Sequence, residues 1–126
     1  MFDRDKASQA LGMELMSAGD GLAVVRMRVT ADMVNGHGMT HGGFVFLLAD
    51  TAFACACNSH GPVTVSAGAD VIFLRPTAAG DQLEAHAQER SVSGRSGVYD
   101  VTVTRDGDVI AEFRGRSRVV SPGRPA

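Results

Sequence analysis

Residues 41–58, HGGFVFLLADTAFACACN, decide how the chain is read. Two glycines lead into an apolar run that carries one charge, Asp50, near its middle. On a helix, positions 46, 47, 53 and 54 share the face of position 50, and here they are Phe46, Leu47, Phe53 and Ala54. None can pair with a carboxylate. A helix that is apolar all round belongs in a core, and an unpaired buried carboxylate is costly unless something compensates it. Asp50 therefore reads as a functional group.

Outward from this helix the chain alternates. Downstream, NSHGP (58–62) ends the helix, and an antiparallel meander follows: strands at 63–74, 81–90, 97–105 and 108–120. The breaks between them are RPTAAG (75–80), a turn at Ser93-Gly94 or Ser96-Gly97, and Asp106-Gly107, a strong hairpin signal. Upstream, residues 22–30 alternate, with Val25, Met27 and Val29 opposite Arg26, Arg28 and Thr30, which predicts a strand with one solvated face. Residues 31–43 form a glycine-rich loop with Asn35, His37 and His41. Residues 3–11, within an N-terminal segment 1–12, suit a short helix stopped by Gly12, and SPGRPA (121–126) a flexible tail. The expectation is a single α+β domain over residues 1–126, one long helix wrapped by five or six antiparallel strands.

The bulk numbers agree. At 126 residues, 44% hydrophobic, the chain suits one domain with a real core. A net charge of −2 and a pI of about 6.0 argue against a nucleic-acid binder. The longest apolar run is shorter than the roughly 20 residues of a membrane span, and the N-terminus has no apolar signal core. The expectation is a cytoplasmic protein with no membrane partner. Cys55 and Cys57, two apart, point about 200° away from each other on a helix and read as buried reduced thiols.

The central stretch carries the chemistry. The first N–H groups of a helix lack intrahelical partners and lie at the positive end of its dipole. Gly42 and Gly43 there would let a carbonyl or oxyanion approach the backbone. Asp50 could attack a carbonyl carbon or act as general base toward water. Yet Gly42 and Asp50 are eight residues apart, about 12 Å along a helix, whereas both groups must come within about 3 Å of one reacting carbonyl. One helix cannot supply both; two antiparallel copies in a symmetric dimer can.

The segments NGHGMTHGGFVFLLADTAFACACNS, VIFLRP, AGD, SGVYDV and FRGRS together resemble the hotdog-fold acyl-CoA thioesterases, and more closely the PaaI-type thioesterases of phenylacetate degradation. The resemblance runs from about residue 11 to residue 119. It implies hydrolysis of acyl-CoA, with aryl-acetyl-CoA such as hydroxyphenylacetyl-CoA as substrate, by a homodimer that pairs into a homotetramer. It implies Asp50 as nucleophile or general base, the Gly42 N–H polarising the thioester carbonyl, Asn35 near the attacking water, and His41 beside the glycines. CoA is part of the substrate, so no separate cofactor is expected.

Blander readings stand beside these. Asn35 reads also as a left-handed turn residue beside Gly36. Thr51 reads as lining the acyl pocket or as bonded back to the Leu47 carbonyl. Gly43, Phe46, Phe73, Arg75 and Pro76 are read as substrate-binding, and Arg75, like Arg95 and Ser96, as a contact for CoA phosphate or as plain surface. Arg114, Arg116 and Arg118 suit a solvated strand face. His37 and His41, in a glycine-rich loop, do not make a metal site with Asp50. Two rivals remain. One is a hotdog hydratase or dehydratase, disfavoured because no histidine follows Asp50 in its helix. The other is a non-catalytic acyl-CoA-binding protein, disfavoured because the costly Asp50 is kept.

Overall fold

In the computed structural model, residues 1–121 are described. One six-stranded antiparallel sheet wraps one long helix, the hotdog arrangement expected. The strands are β1 (Glu14–Gly19), β2 (Leu22–Arg28), β3 (Val63–Phe73), β4 (Gln82–Ser93), β5 (Ser96–Arg105) and β6 (Asp108–Ser121), in the order β1-β2-β4-β5-β6-β3. A short helix, α1 (Lys6–Ala10), precedes the sheet, and α2 (Gly42–Cys57) runs between β2 and β3.

Three tight turns set the register. Asp20-Gly21 joins β1 to β2 and Asp106-Gly107 joins β5 to β6, all four residues at positive φ, the conformation that matches the twist of a two-residue hairpin. Between β4 and β5 the turn residues are Gly94 and Arg95, flanked by the Ser93–Ser96 pair, which decides between the two positions expected. β1 is the strand that sequence reading missed. Its own residues, ELMSAG, are almost entirely exposed and carry no inward alternation. The Asp20-Gly21 turn beside it was the available signal.

Two other expectations are corrected. The helix expected over residues 3–11 is broken at Asp5 into a 3-10 turn (Phe2–Arg4) and α1, because the Asp5 side chain caps α1 by accepting from the Ser8 N–H at 3.0 Å. The loop over residues 31–43 includes a 3-10 turn at Ala31–Met33 and gives both Gly42 and Gly43 to α2. Ser121 ends β6; the rest of the expected tail, residues 122–126, lies outside the described residues.

The core lies between α2 and the concave face of the sheet. Val25 and Met27 of β2, Leu83, Ala85 and Ala87 of β4, and Tyr99, Val101 and Val103 of β5 alternate inward beneath Leu48, Ala52, Phe53 and Ala56 of α2. By length and composition the stretch Gly42–His60 could cross a membrane, but half of it is buried in this core. Phe53 sits against Tyr99 and Phe113, ring centroids 5.5 and 5.8 Å away. Opposite it is Gly115, where a methyl group would stand 2.8 Å from the Phe53 ring. The helix can approach the sheet only because that position lacks a side chain. Gly115→Ala is therefore expected to destabilise the fold by about 1–3 kcal/mol, the usual range for overpacking, read as a lowered urea midpoint at unchanged slope.

Candidate active site

α2 is not buried on every side, contrary to expectation. Nine of its residues are buried, but Gly43, Phe46, Leu47, Asp50, Ala54 and Asn58 form a stripe left half-buried or exposed at i, i+3, i+4 spacing. Asp50 is thus half-buried, and no hydrogen bond or ion pair within the described residues reaches its carboxylate. Its pKa is raised, first by loss of solvent and second by the negative charge of Asp5. An unpaired carboxylate made more basic by its surroundings suits proton abstraction.

The N-terminus of α2 supplies the second feature. His41 is the N-cap, with extended backbone (φ −63°, ψ 131°), and its Nδ1 accepts from the Gly43 N–H at 3.2 Å. That bond places the neutral ring's proton on Nε2. The His41 N–H is itself engaged with the Met33 carbonyl. Among the described residues the Gly42 N–H donates to nothing. One free N–H therefore stands at the positive end of the helix dipole.

Gly42 opens onto a cleft of about 300 Å³ whose walls include Asn35, Met39, Phe73, Leu74, Arg75 and Pro76. The Phe73 ring lies over Gly42, so that a methyl group there would be 3.0 Å from Cζ. Glycine lets ring and backbone meet this closely, and a Cβ there would be met by a shift of the exposed ring. The structure thus gathers Gly42, Asn35, Phe73, Arg75 and Pro76 on one cleft. Arg75 also donates to the Val109 carbonyl, and the Pro76 carbonyl accepts from Arg105.

Asn35 is not a left-handed residue; in this loop Gly38 takes the positive φ. The Asn35 side-chain oxygen instead accepts from the N–H groups of His37 and Met39, at 2.9 and 3.2 Å, and holds the loop closed. Its amide NH2 has no partner among the described residues and is free to donate into the cleft.

Other expected residues lie elsewhere. Arg95 and Ser96 line a separate cleft with His60, Glu89 and Tyr99, at the β4–β5 turn. Ser96 there accepts from Arg118. Phe46 leans edge-on against Phe113, centroids 5.4 Å apart, and remains half-buried. Thr51 is not bonded back to the Leu47 carbonyl. It is buried, 3% exposed, and its hydroxyl meets the Ser8 hydroxyl at 2.8 Å. Arg114 and Arg116 are paired to Asp100 and Asp70 on the outer face of the sheet. Cys55 and Cys57 are free and buried, and burial raises their thiols to about 11 and about 12, far from reactivity. No group of three His, Cys, Asp or Glu among the described residues is placed to hold a metal.

Comparison with known proteins gives the family. Residues 37–112 match the model of the Thioesterase superfamily, a span that holds both Gly42 and Asp50. The chain is 48% identical over 118 residues to acyl-coenzyme A thioesterase PaaI of Escherichia coli (strain K12), covering 93% of this chain and 84% of that protein. The structure of the E. coli PaaI protein from the phenylacetic acid degradation operon superposes with a TM-score of 0.95 at 45% identity, over 98% of this chain and 90% of that one. A variant of the phenylacetic acid degradation protein PaaI from Thermus thermophilus gives a TM-score of 0.88 at 38% identity, over 90% and 98% of the two chains. On a family match longer than half its length, and on close identity over nearly all of it, the chain belongs to the thioesterase superfamily.

Proposed function

We propose that this thioesterase hydrolyses acyl-CoA, with (hydroxy)phenylacetyl-CoA and related aryl-acetyl-CoA as its substrates, at sites shared between two protomers. The observation that carries this reading is the pairing of a partnerless Gly42 N–H with a partnerless Asp50 carboxylate on one helix. Each group lacks a counterpart among the described residues, and about 12 Å of helix keeps them from one reacting carbon. A second copy of α2, antiparallel to the first, brings Gly42 of one chain to Asp50 of the other. β3, an edge strand with Val63, Val65, Ile72 and Phe73 exposed, offers the surface for that pairing. The dimers pair in turn into a homotetramer.

The chemistry follows from the two groups. The thioester oxygen accepts from the Gly42 N–H, which stabilises negative charge as the carbonyl becomes tetrahedral. Asp50 takes a proton from water as the water oxygen attacks, or attacks the carbonyl carbon itself to give an anhydride that water then opens. In either route the C–S bond breaks, CoA leaves as thiolate and takes up a proton, and the acid is released. The Asn35 amide orients the water, and His41 holds the Gly43 N–H so that the Gly42 N–H alone faces the oxygen. Gly43 and Phe46, with Phe73 and Pro76, border the acyl group, while Arg75, Arg95 and Ser96 meet the phosphates of CoA. No resident cofactor or metal enters this scheme, and the reaction is assigned to the cytoplasm.

The aryl-acetyl assignment is supported by the names of the relatives and by the apolar cleft wall of Met39, Phe73, Leu74 and Ile110. A panel of aromatic and aliphatic acyl-CoA substrates followed by thiol release tests it; equal kcat/KM across the panel would remove it.

Asp50→Asn is expected to lower kcat by roughly 10²–10⁴-fold, the usual worth of a positioned acid–base group, with a folded far-UV spectrum. Since Asp50 works only as carboxylate and its pKa is raised, the parental rate should fall as pH drops through a midpoint above the ordinary aspartate value of about 3.9. Full thiol release by Asp50→Asn contradicts the assignment. For Arg95→Ala, KM should rise for acyl-CoA but stay unchanged for a truncated acyl-pantetheine thioester, which lacks the nucleotide phosphates; equal effects on both would place Arg95 away from them.

A further inference from the structure

The hydroxyl of Thr51, next to Asp50 in α2, leads out of the helix to the N-terminal segment. Ser8 of α1, 1% exposed, places its Oγ 2.8 Å from Thr51 Oγ1 and 2.6 Å from Asp5 Oδ2. The hydroxyl of Ser8 has one proton, and the Asp5 carboxylate can only accept it. Thr51 must therefore donate to Ser8, and Ser8 to Asp5. The result is a directed chain, Thr51 to Ser8 to Asp5, closed on itself by the Ser8 N–H donating to Asp5 Oδ1 at 3.0 Å. Low local dielectric strengthens such a chain. It ties a five-residue helix too short to be stable alone to the turn of α2 that carries Asp50.

The chain also fixes where the Asp5 charge stands. The inward residues of the sheet beneath α2 are apolar apart from Thr64, Tyr99 and Ser117, and Arg26, Glu84, Asp100, Arg114 and Arg116 are engaged with one another or with Asp70 and His86 on its outer face. On α2 itself the only other titratable groups are Cys55 and Cys57, both held as neutral thiols by burial. In the N-terminal segment Asp3, Arg4 and Lys6 are exposed, and Asp3 is paired with the terminal ammonium. Among the described residues, Asp5 is the one charge linked to the Asp50 turn, through Ser8.

We propose that Asp5 is a positioning residue of the Asp50 site, its carboxylate locked through Ser8 to Thr51 so that a fixed negative charge stands against the turn of α2 that carries Asp50. The N-terminal segment is then a working part of the site and not a passive cover. The Coulombic influence of Asp5 on Asp50 favours the protonated acid and hence a more basic carboxylate. The kinetic consequence rests on the assignment of Asp50 as catalytic base or nucleophile; the electrostatic claim does not.

The test removes the charge and keeps the bonds. In Asp5→Asn the side-chain oxygen still caps α1, and the amide can donate to Ser8, which then donates to Thr51, so the chain reverses without breaking. In the full-length protein, the 13C carboxyl resonance of Asp50 should titrate at lower pH in Asp5→Asn than in the parent. The gap should narrow in high salt, and Asp5→Glu should restore the parental midpoint. The acid limb of kcat/KM should move in the same direction. An Asp50 resonance that titrates at the same pH in parent and Asp5→Asn overturns the proposal. So does a shift of equal size at low and high salt, which marks undocking of α1 and not loss of a charge. If the resonance moves and the acid limb of the rate does not, the proposal for Asp5 stands and the catalytic assignment of Asp50 falls.

Discussion

An α-helix advances about 1.5 Å per residue, and this sets Gly42 and Asp50 about 12 Å apart whatever the sheet around them does. The rest of the molecule serves that constraint. Phe53, seated where Gly115 has no side chain, presses α2 into the sheet and fixes which face stays outside. The outward face carries Asp50, and the N-terminus of the same helix carries the free Gly42 N–H. A straight helix buried along one side thus presents an N–H at one point and a carboxylate two turns on. Neither has a hydrogen-bond partner among the described residues.

The unsatisfied groups are informative against an interior whose buried side chains, among the described residues, are all bonded. No fully buried side-chain polar atom among the described residues lacks a partner. His41 satisfies the Gly43 N–H, the Asn35 oxygen satisfies two loop N–H groups, and Thr51 and Ser8 satisfy each other. Against that background, the open Gly42 N–H, the open Asn35 amide and the unpaired Asp50 stand out. The buried side chains of the described residues are all bonded, whereas this one helix keeps an open donor and an open acceptor.

Much of this was legible in the sequence where local chemistry is strong. The apolar run with its lone aspartate located α2, the period-2 alternation located β2 and β4, and Asp106-Gly107 located a hairpin. Gly42 was readable as a helix-entry donor from its place before the run. What was not legible depends on distant parts of the chain. β1 has no buried face to leave a pattern. Thr51 was weighed only against its own helix and the acyl pocket, whereas its partner, Ser8, is 43 residues away. Arg75 and Arg95 looked equivalent as exposed arginines, yet the sheet order sends them to different clefts. The partial exposure of Asp50 follows from α2 being covered by one curved sheet only, which periodicity cannot reveal in a helix apolar on every side.

The shared site is the central claim, and mixing two inactive chains tests it most directly. Asp50→Asn removes the carboxylate, and Gly42→Pro removes the N–H at the first residue of α2, after an extended His41, where proline is accepted with a small shift of the exposed Phe73 ring. A mixed dimer of the two places an intact Gly42 opposite an intact Asp50 at one of its two sites. With random association, confirmed by native mass spectrometry, co-refolded chains should recover about a quarter of the parental activity. Activity no higher than the sum of the two separate variants, in a sample shown to contain mixed dimers, would mean that each chain carries a complete site of its own.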